Sequence, residues 1–278
     1  MRMMDEAALQ VRIEEIRESG RFHAIAAHVY DDETGREFSH AGDRWFHAAS
    51  TMKAAVLLTL FKAAEAGTVR LEDRLHVRNR FRSIADRSIF NIARDRDADA
   101  AVHRRIGRSM KLIELAYPMI TRSSNLATNL LLDYLTPAAV QETLAAARIE
   151  GVKIVRGVED TAAFEQGLNN LATARGLVQL FRLLRDPQFV SEAARRQALE
   201  IFLAQEFKSM IPALLPSGTE VAHKTGEIST CTHDAGLVLL PGRRPYAVAI
   251  LTEHDAEAEA PQKAVARVSR AVYEFITA

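Results

Sequence analysis

The sequence contains very little cysteine and tryptophan, and it has no excess of charge of either sign. Its 278 residues include one cysteine, Cys231, and one tryptophan, and 36 Lys+Arg residues are balanced by 36 Asp+Glu residues. A single cysteine excludes an intramolecular disulfide and is typical of a reducing compartment. A broad nucleic-acid-binding surface requires a basic excess, which this chain lacks. We therefore expect no nucleic-acid partner.

Long hydrophobic runs and targeting signals are also missing from the sequence. No apolar stretch is long enough to cross a bilayer, so we expect no membrane partner. The N-terminal turns carry acidic residues and no apolar signal-peptide core, which predicts a cytoplasmic protein unless the start was trimmed from a secreted one. The nine histidines show no ligand spacing, so we predict neither a metal site nor another cofactor.

Hydrophobic periodicity divides the chain into three parts. An amphipathic helix over 4–19 and a β-hairpin over 22–40 come first, and helical patterns dominate from 49 to 205. After residue 216 the period changes to two and predicts three strands, followed by a helix that Pro261 opens. Strands joined by hairpins pair antiparallel. We therefore predict an α/β (α+β) fold, in which a five-stranded antiparallel sheet covered by the terminal helices lies beside a helical lobe.

The two predicted lobes are interleaved along the chain. Residues 1–48 and 206–278 form a discontinuous sheet domain, and 49–205 form a helical domain that carries the loop 156–170. The segment 71–101 mixes polar and scattered apolar residues, which predicts an extended connection with short helical pieces. Ligand sites are common where two lobes meet, and we expect one at this boundary.

Ser50 and Lys53 begin a run that is apolar nearly all round and that predicts a buried helix. Residues at i and i+3 share a helix face, so the hydroxyl and the amine are expected to lie on the same side. Burial lowers the pKa of a lysine, and a neutral amine beside a hydroxyl is a base beside a nucleophile. By itself the pair also fits a simpler interpretation, in which Ser50 is a helix N-cap.

Two further polar motifs make the first one more specific. Residues 123–125 (Ser-Ser-Asn) interrupt two helical patterns, and residues 224–226 (Lys-Thr-Gly) lie on the first C-terminal strand. Together with residues 50–53 they resemble the Ser-x-x-Lys, Ser-Asp-Asn and Lys-Thr-Gly motifs of class A β-lactamases and penicillin-binding proteins. The resemblance covers nearly the whole chain, and it implies the β-lactamase/transpeptidase-like fold. Ser124 departs from the family, which usually carries Asp there, and we expect looser support of that loop without loss of chemistry.

The resemblance also implies a role for each motif residue. Ser50 would be the acylated nucleophile, Lys53 its base or proton relay, and Ser123 a proton carrier to the leaving nitrogen. The implied substrate-binding residues are Asn125, Lys224, Thr225, Gly226 and Glu227, with the backbone N–H groups of Ser50 and Glu227 as oxyanion-hole donors. Without the resemblance, Ser123 and Asn125 fit caps of the helix that starts there, and the third motif fits a strand that ends in a bend.

Hydrolysis of an acyl-enzyme also requires activation of water, which class A enzymes achieve with a glutamate on a loop after the helical lobe. The sequence offers two candidates, Glu159, which follows Arg156, and Glu165, which begins a Glu-x-x-Leu-Asn spacing. The sequence does not distinguish between these two glutamates. Either one also fits a simpler interpretation, in which it is a solvent-exposed loop carboxylate without a catalytic role.

The resemblance predicts a serine hydrolase that hydrolyses β-lactams through an acyl-Ser50 intermediate. One alternative is a D-Ala-D-Ala carboxypeptidase or an esterase of the same fold. Another is a penicillin-binding sensor that is acylated without turnover. The expected partner is a small β-lactam or D-Ala-D-Ala-like molecule, and the protein is expected to be a monomer or a weak homo-oligomer.

Overall fold

A five-stranded antiparallel sheet organises the structure, a computed structural model that describes residues 4–278. The strands are β1 (Ala24–Asp31), β2 (Glu37–His40), β3 (Glu220–Ile228), β4 (Cys231–Leu239) and β5 (Tyr246–Glu253). They lie in the order β3-β4-β5-β1-β2, and each neighbouring pair is antiparallel. Pairing of β1 with β5 joins the N-terminal hairpin to the C-terminal strands, which confirms the predicted sheet.

The helices occupy both ends of the chain and the segment between the two groups of strands. They are α1 (Glu6–Ser19), α2 (Lys53–Glu65), α3 (Ala100–His103), α4 (Leu112–Thr121), α5 (Asn125–Leu135), α6 (Pro137–Ala146), α7 (Thr161–Glu165), α8 (Ala174–Arg182), α9 (Glu192–Leu203) and α10 (Pro261–Ile276). Short strand pairs, among them Phe81–Arg82 with Ile89–Phe90, organise the segment predicted as an extended connection. No helix within residues 4–278 has the length and apolar character that a bilayer span requires.

Alternation of side chains along the strands builds a separate core on each face of the sheet. In β1, Ile25 and Val29 join the core formed with α1 and α10, whereas Ala24 and Ala26 join the core shared with the helical lobe. The second face is rich in alanine in β1, β4 and β5. Small side chains there leave room for α8 to lie directly on the sheet.

Helix α8 therefore links the two parts of the fold. It belongs to the segment 49–205, yet it packs on β1, β4 and β5. We propose the division into a sheet domain of 1–48 and 206–278 and a helical domain of 49–205, with α8 at the boundary between them.

Helix α2 is the buried centre of the helical lobe. Every side chain from Lys53 to Phe61 is buried, as its Ala, Leu and Val content predicts. The α-helical bonding begins at Lys53, and a 3-10 turn over Ala49–Met52 precedes it. The predicted helix thus starts three residues later than Ser50. A left-handed residue, Ala49 with φ of 45°, breaks the backbone regularity at this point.

Candidate active site

Ser50 lies in the tight turn that enters α2. Its neighbour Ala49 takes a left-handed conformation, which costs a non-glycine residue about 1–3 kcal/mol and is common at functional sites. Local contacts hold this conformation, because Ala49 N–H donates to His47 Nδ1 at 3.1 Å and the Thr51 hydroxyl donates to Ala48 O. The half-buried Ser50 thereby reaches the wall of a cavity.

Strand β3 runs directly against this turn. A Cβ atom added at Gly226 would lie 2.9 Å from the backbone nitrogens of both Ser50 and Thr51. Any side chain at this position would therefore push the strand away from the turn. The third motif thus meets the first through backbone contact, and Gly226 is the residue that permits it.

Lys53 joins the first motif to the second. Its side chain is fully buried, and its amine donates to Ser123 O at 2.7 Å, to Ser123 Oγ at 3.0 Å and to Asn125 Oδ1 at 2.8 Å. All hydrogen bonds of this amine within residues 4–278 go to the second motif, and Ser50 Oγ is not among its partners. The structure thus brings Lys53, Ser123 and Asn125 together through contacts that the sequence motifs did not specify.

The electrostatic surroundings of Lys53 favour the neutral amine. Burial lowers the pKa of Lys53 well below its usual value, and the nearby charge of Lys224 lowers it further. The carboxylates of Asp97 and Glu159 act in the opposite direction. The neutral amine has two N–H donors and one lone pair, so in this form it donates at most two of the three hydrogen bonds above. Its lone pair can accept a proton, so Lys53 is suited to act as a base.

The second motif lies in the break between α4 and α5. Ser123 takes a left-handed φ of 57°, and Ser124 is the N-cap of α5, where its side chain accepts from Ala127 N–H. The amide oxygen of Asn125 accepts from the Lys53 amine, and its amide nitrogen donates to Arg96 O at 2.8 Å. The cap is therefore Ser124 and neither Ser123 nor Asn125, whose side-chain oxygens accept from Lys53 instead.

Lys224 is the second buried cation of the site. Its amine donates to Thr225 O at 2.7 Å. Burial lowers the pKa of Lys224 to about 7, although the charges of Asp234 and Glu227 raise it. Lys224 therefore changes its charge near neutral pH in the free protein.

This titration predicts weaker binding of anionic substrates as the pH rises through about 7. Above that pH the ammonium that would meet a substrate carboxylate is lost, so KM is expected to rise by up to about tenfold per pH unit. Steady-state kinetics from about pH 6 to about pH 9 measure this effect, with an uncharged ester substrate as the control. A Lys224→Arg variant, which stays charged, should show a flatter profile. A wild-type KM for the anionic substrate that is independent of pH would contradict this role.

The three motifs open into one cavity of about 720 Å³, a volume in the range of small-molecule sites. Its wall combines the motif residues with the loop 156–170 and two exposed aromatic rings, Phe164 and Phe207. No group of three or more metal-binding side chains occurs in the part of the chain that the structure describes. The cavity wall offers the Ser50 and Ser123 hydroxyls, the Asn125 amide and the Thr225 hydroxyl, and the buried Lys53 amine contacts Ser123 and Asn125 from behind this wall.

Arg156 closes the loop 156–170 on itself. Its buried guanidinium donates to Leu168 O at 2.7 Å, to Asn169 Oδ1 at 2.8 Å and to Gly157 O at 3.0 Å. These bonds join the two ends of the loop around the short helix α7. The loop thus forms a defined side of the cavity.

The structure separates the two glutamate candidates of this loop. Glu159 lines the cavity, and its carboxylate accepts from Arg96 Nε at 3.2 Å. Glu165 is exposed at the end of α7 and does not line the cavity. Glu227 also lines the cavity, and its exposed carboxylate accepts from Gln262 Nε2 at 2.9 Å.

Sequence patterns do not point to Arg96 or Asp97 as site residues. Both belong to the polar segment 71–101, where no periodicity or motif distinguishes them. Their contacts with Glu159 and with the start of α5 span about 30 to 60 residues along the chain. Only the folded chain shows that this segment forms part of the site.

Comparisons with known proteins agree with the resemblance that the three motifs indicate. A sequence model described as "Beta-lactamase enzyme family" matches residues 8–276. The extended-spectrum β-lactamase PER-1 of Pseudomonas aeruginosa is 27% identical over 180 residues, covering 60% of this chain and 58% of PER-1. A β-lactamase of Bacteroides uniformis is 27% identical over 182 residues, covering 60% of each chain. This chain therefore matches less than two thirds of the length of either curated relative.

Among solved structures, a mutant of PBP-A in an acyl-enzyme complex with penicillin G is similar over almost its full length. It is 25% identical, covers 99% of this chain and 98% of its own, and superposes with a TM-score of 0.82. The similarity therefore extends over the sheet and the helical lobe together.

Proposed function

Because the chain belongs to the β-lactamase enzyme family, we propose that it is a serine hydrolase that opens β-lactams through an acyl-Ser50 intermediate. The observation that supports this most is the environment of Lys53. A fully buried amine, held by Ser123 and Asn125 and three residues after Ser50 in the chain, is suited to take up the proton of a serine nucleophile.

In the proposed acylation step, Ser50 Oγ attacks the lactam carbonyl carbon and loses its proton to the neutral amine of Lys53. The C–N bond of the lactam then breaks, and the leaving nitrogen takes up a proton. Ser123 Oγ, which lies 3.0 Å from the same amine, is suited to pass that proton on. The product is an ester on Ser50, and the protons balance within the three side chains.

The oxyanion that forms during the attack needs hydrogen-bond donors in a fixed position. The close approach of Gly226 to the turn brings the backbone of β3 against Ser50 N–H. We assign the N–H groups of Ser50 and Glu227 as the two donors. Removal of one such donor typically costs about 10²–10³ in kcat.

The remaining motif residues would orient the substrate. Lys224 and Thr225 would bind its carboxylate by charge and hydroxyl, and Asn125 would bind a side-chain amide. We propose one small β-lactam or D-Ala-D-Ala-like partner and a monomer or weak homo-oligomer.

Glu159 is the better of the two candidates for activating the hydrolytic water. It lines the cavity, whereas Glu165 does not. Glu159→Gln is therefore expected to slow deacylation by about 10²–10⁴-fold and to leave acylation nearly unchanged, so that acyl-Ser50 accumulates. Intact-mass measurements after mixing with penicillin G follow both steps, and Glu165→Gln is the matched control. Unchanged turnover in Glu159→Gln would show that another group activates water.

A second candidate function is acylation without rapid turnover. It is favoured by the pairing of Glu159 with Arg96, which engages the carboxylate that hydrolysis needs. A protein of this kind would bind penicillin covalently and release it slowly.

Incubation with a chromogenic cephalosporin distinguishes the candidates. Repeated turnover supports a β-lactamase, whereas a single burst with a stable adduct on Ser50 supports acylation without turnover. Cleavage of a nitrophenyl ester without reaction with any β-lactam would instead indicate an esterase and overturn the proposed function.

A further inference from the structure

A buried carboxylate outside the three motifs contacts the start of α5. The Asp97 side chain is fully buried, and its oxygens accept from Asn125 N–H at 3.0 Å and Leu126 N–H at 2.9 Å. These are the first two amides of the helix, which have no partner within it. Asp97 therefore satisfies two donors and adds negative charge at the positive end of the helix dipole.

The motif itself provides weaker support at this place. Ser124 carries no charge, and its hydroxyl accepts from Ala127 N–H at 3.3 Å and donates to Asp97 Oδ2 at 3.3 Å. Both distances are longer than the bonds that Asp97 makes to the helix amides. The stronger interactions at the start of α5 thus come from a loop that lies 28 residues earlier in the chain.

Residues that follow Asp97 in the chain also contact its carboxylate. Asp99 N–H donates to Asp97 Oδ1 at 3.1 Å, and His103 Nε2 lies 3.1 Å from Asp97 Oδ2. With the two helix amides and the Ser124 hydroxyl, five polar groups surround this carboxylate. A buried acid with so many partners has little freedom to move.

We propose that Asp97 is a positioning residue for acylation: it fixes the start of α5, so that Ser123 and Asn125 hold Lys53 in place. Asp97 contacts Ser124 and Asn125, and the oxygens of Ser123 and Asn125 make all three polar contacts of the Lys53 amine. Asp97 thus supplies, from a separate loop, the carboxylate that residue 124 lacks. The inference rests on the proposed function, since it concerns the same acylation step.

The substitution Asp97→Asn tests this role with little change in shape. It replaces one acceptor oxygen by a donor nitrogen that would face helix amides or the Ser124 hydroxyl. Displacement of a catalytic group by about 1 Å can cost about 10²-fold in rate, so we expect acylation by penicillin G to slow by about 10- to 100-fold. Asp95→Asn, which changes an exposed acid in the same loop, is the matched control and should acylate like the wild type.

The double variant Asp97→Asn/Ser124→Asp distinguishes positioning from a general loss of stability. It moves the carboxylate to the N-cap position, where an acid can accept from the first-turn amides of the helix. We expect it to acylate within about threefold of the wild type, because the N–H group of Leu126 or Ala127 regains a charged partner at the start of α5. If Asp97→Asn does not fold, a double variant that folds and acylates supports the proposal. A double variant no better than Asp97→Asn overturns it, as does an Asp97→Asn variant with wild-type acylation.

Amide hydrogen exchange provides a second measurement that needs no substrate. Residues 124–128 should exchange faster in Asp97→Asn than in the wild type, and the double variant should reverse the change. Exchange in α2 should stay the same in all variants. If the wild type forms no adduct, the proposed function fails, and exchange alone decides the role of Asp97: unchanged exchange at 124–128 then overturns it.

Discussion

Ser50→Ala is expected to abolish the covalent adduct with penicillin G. The substitution removes the only hydroxyl that the proposed chemistry acylates, and loss of a serine nucleophile lowers kcat by on the order of 10⁶-fold. Intact-mass measurement detects the adduct in the wild type, and peptide mapping should place it on Ser50. The effect is the largest that we expect from any single change, because no other group replaces the reacting oxygen.

Ser229→Ala is the matched control for this experiment. Ser229 also lies at the cavity wall but on the exposed turn after β3. Its removal should leave adduct formation intact. An adduct of the same mass in the Ser50→Ala variant would show that another residue is acylated, and the proposed mechanism would then be wrong.

Lys53→Ala is expected to reduce acylation at neutral pH by about 10²–10⁴-fold, the usual contribution of a general base. The amine is the buried group to which the Ser50 proton would pass, and it also orders Ser123 and Asn125. Stopped-flow measurement of acylation by a chromogenic cephalosporin determines the rate. The pH dependence of the acylation rate provides a second test of Lys53 as the base. In the wild type, acylation should fall as the pH falls through the lowered pKa of Lys53, because protonation removes the base.

Lys62→Ala is the control for Lys53→Ala on the same helix. The Lys62 amine donates to Phe189 O, away from the cavity, so its removal should leave the acylation rate close to that of the wild type. Circular dichroism verifies that both variants fold. A folded Lys53→Ala variant with full activity at neutral pH would contradict the assignment of Lys53 as the base.

Local sequence patterns predicted the elements of this fold well. The change from helical to strand period after residue 216 corresponds to β3, β4 and β5, and the apolar run after Lys53 corresponds to α2. These predictions succeed because side-chain periodicity follows directly from the geometry of a helix or a strand. The start of α2 was harder to predict, since the 3-10 turn at Ser50 depends on its contacts with β3 and His47.

The sequence by itself determined the element types, the antiparallel hairpins of a five-stranded sheet and the three motifs of the proposed site. Only the tertiary structure decided which glutamate reaches the cavity, since Glu159 lies at its wall and Glu165 faces solvent within the same loop. It also decided that Asp97 supports the start of α5 from 28 residues away. The physical reason is that periodicity and motifs are local properties of the chain. A buried carboxylate and the amides that it binds are brought together by packing of distant segments, for which the local sequence carries no signal.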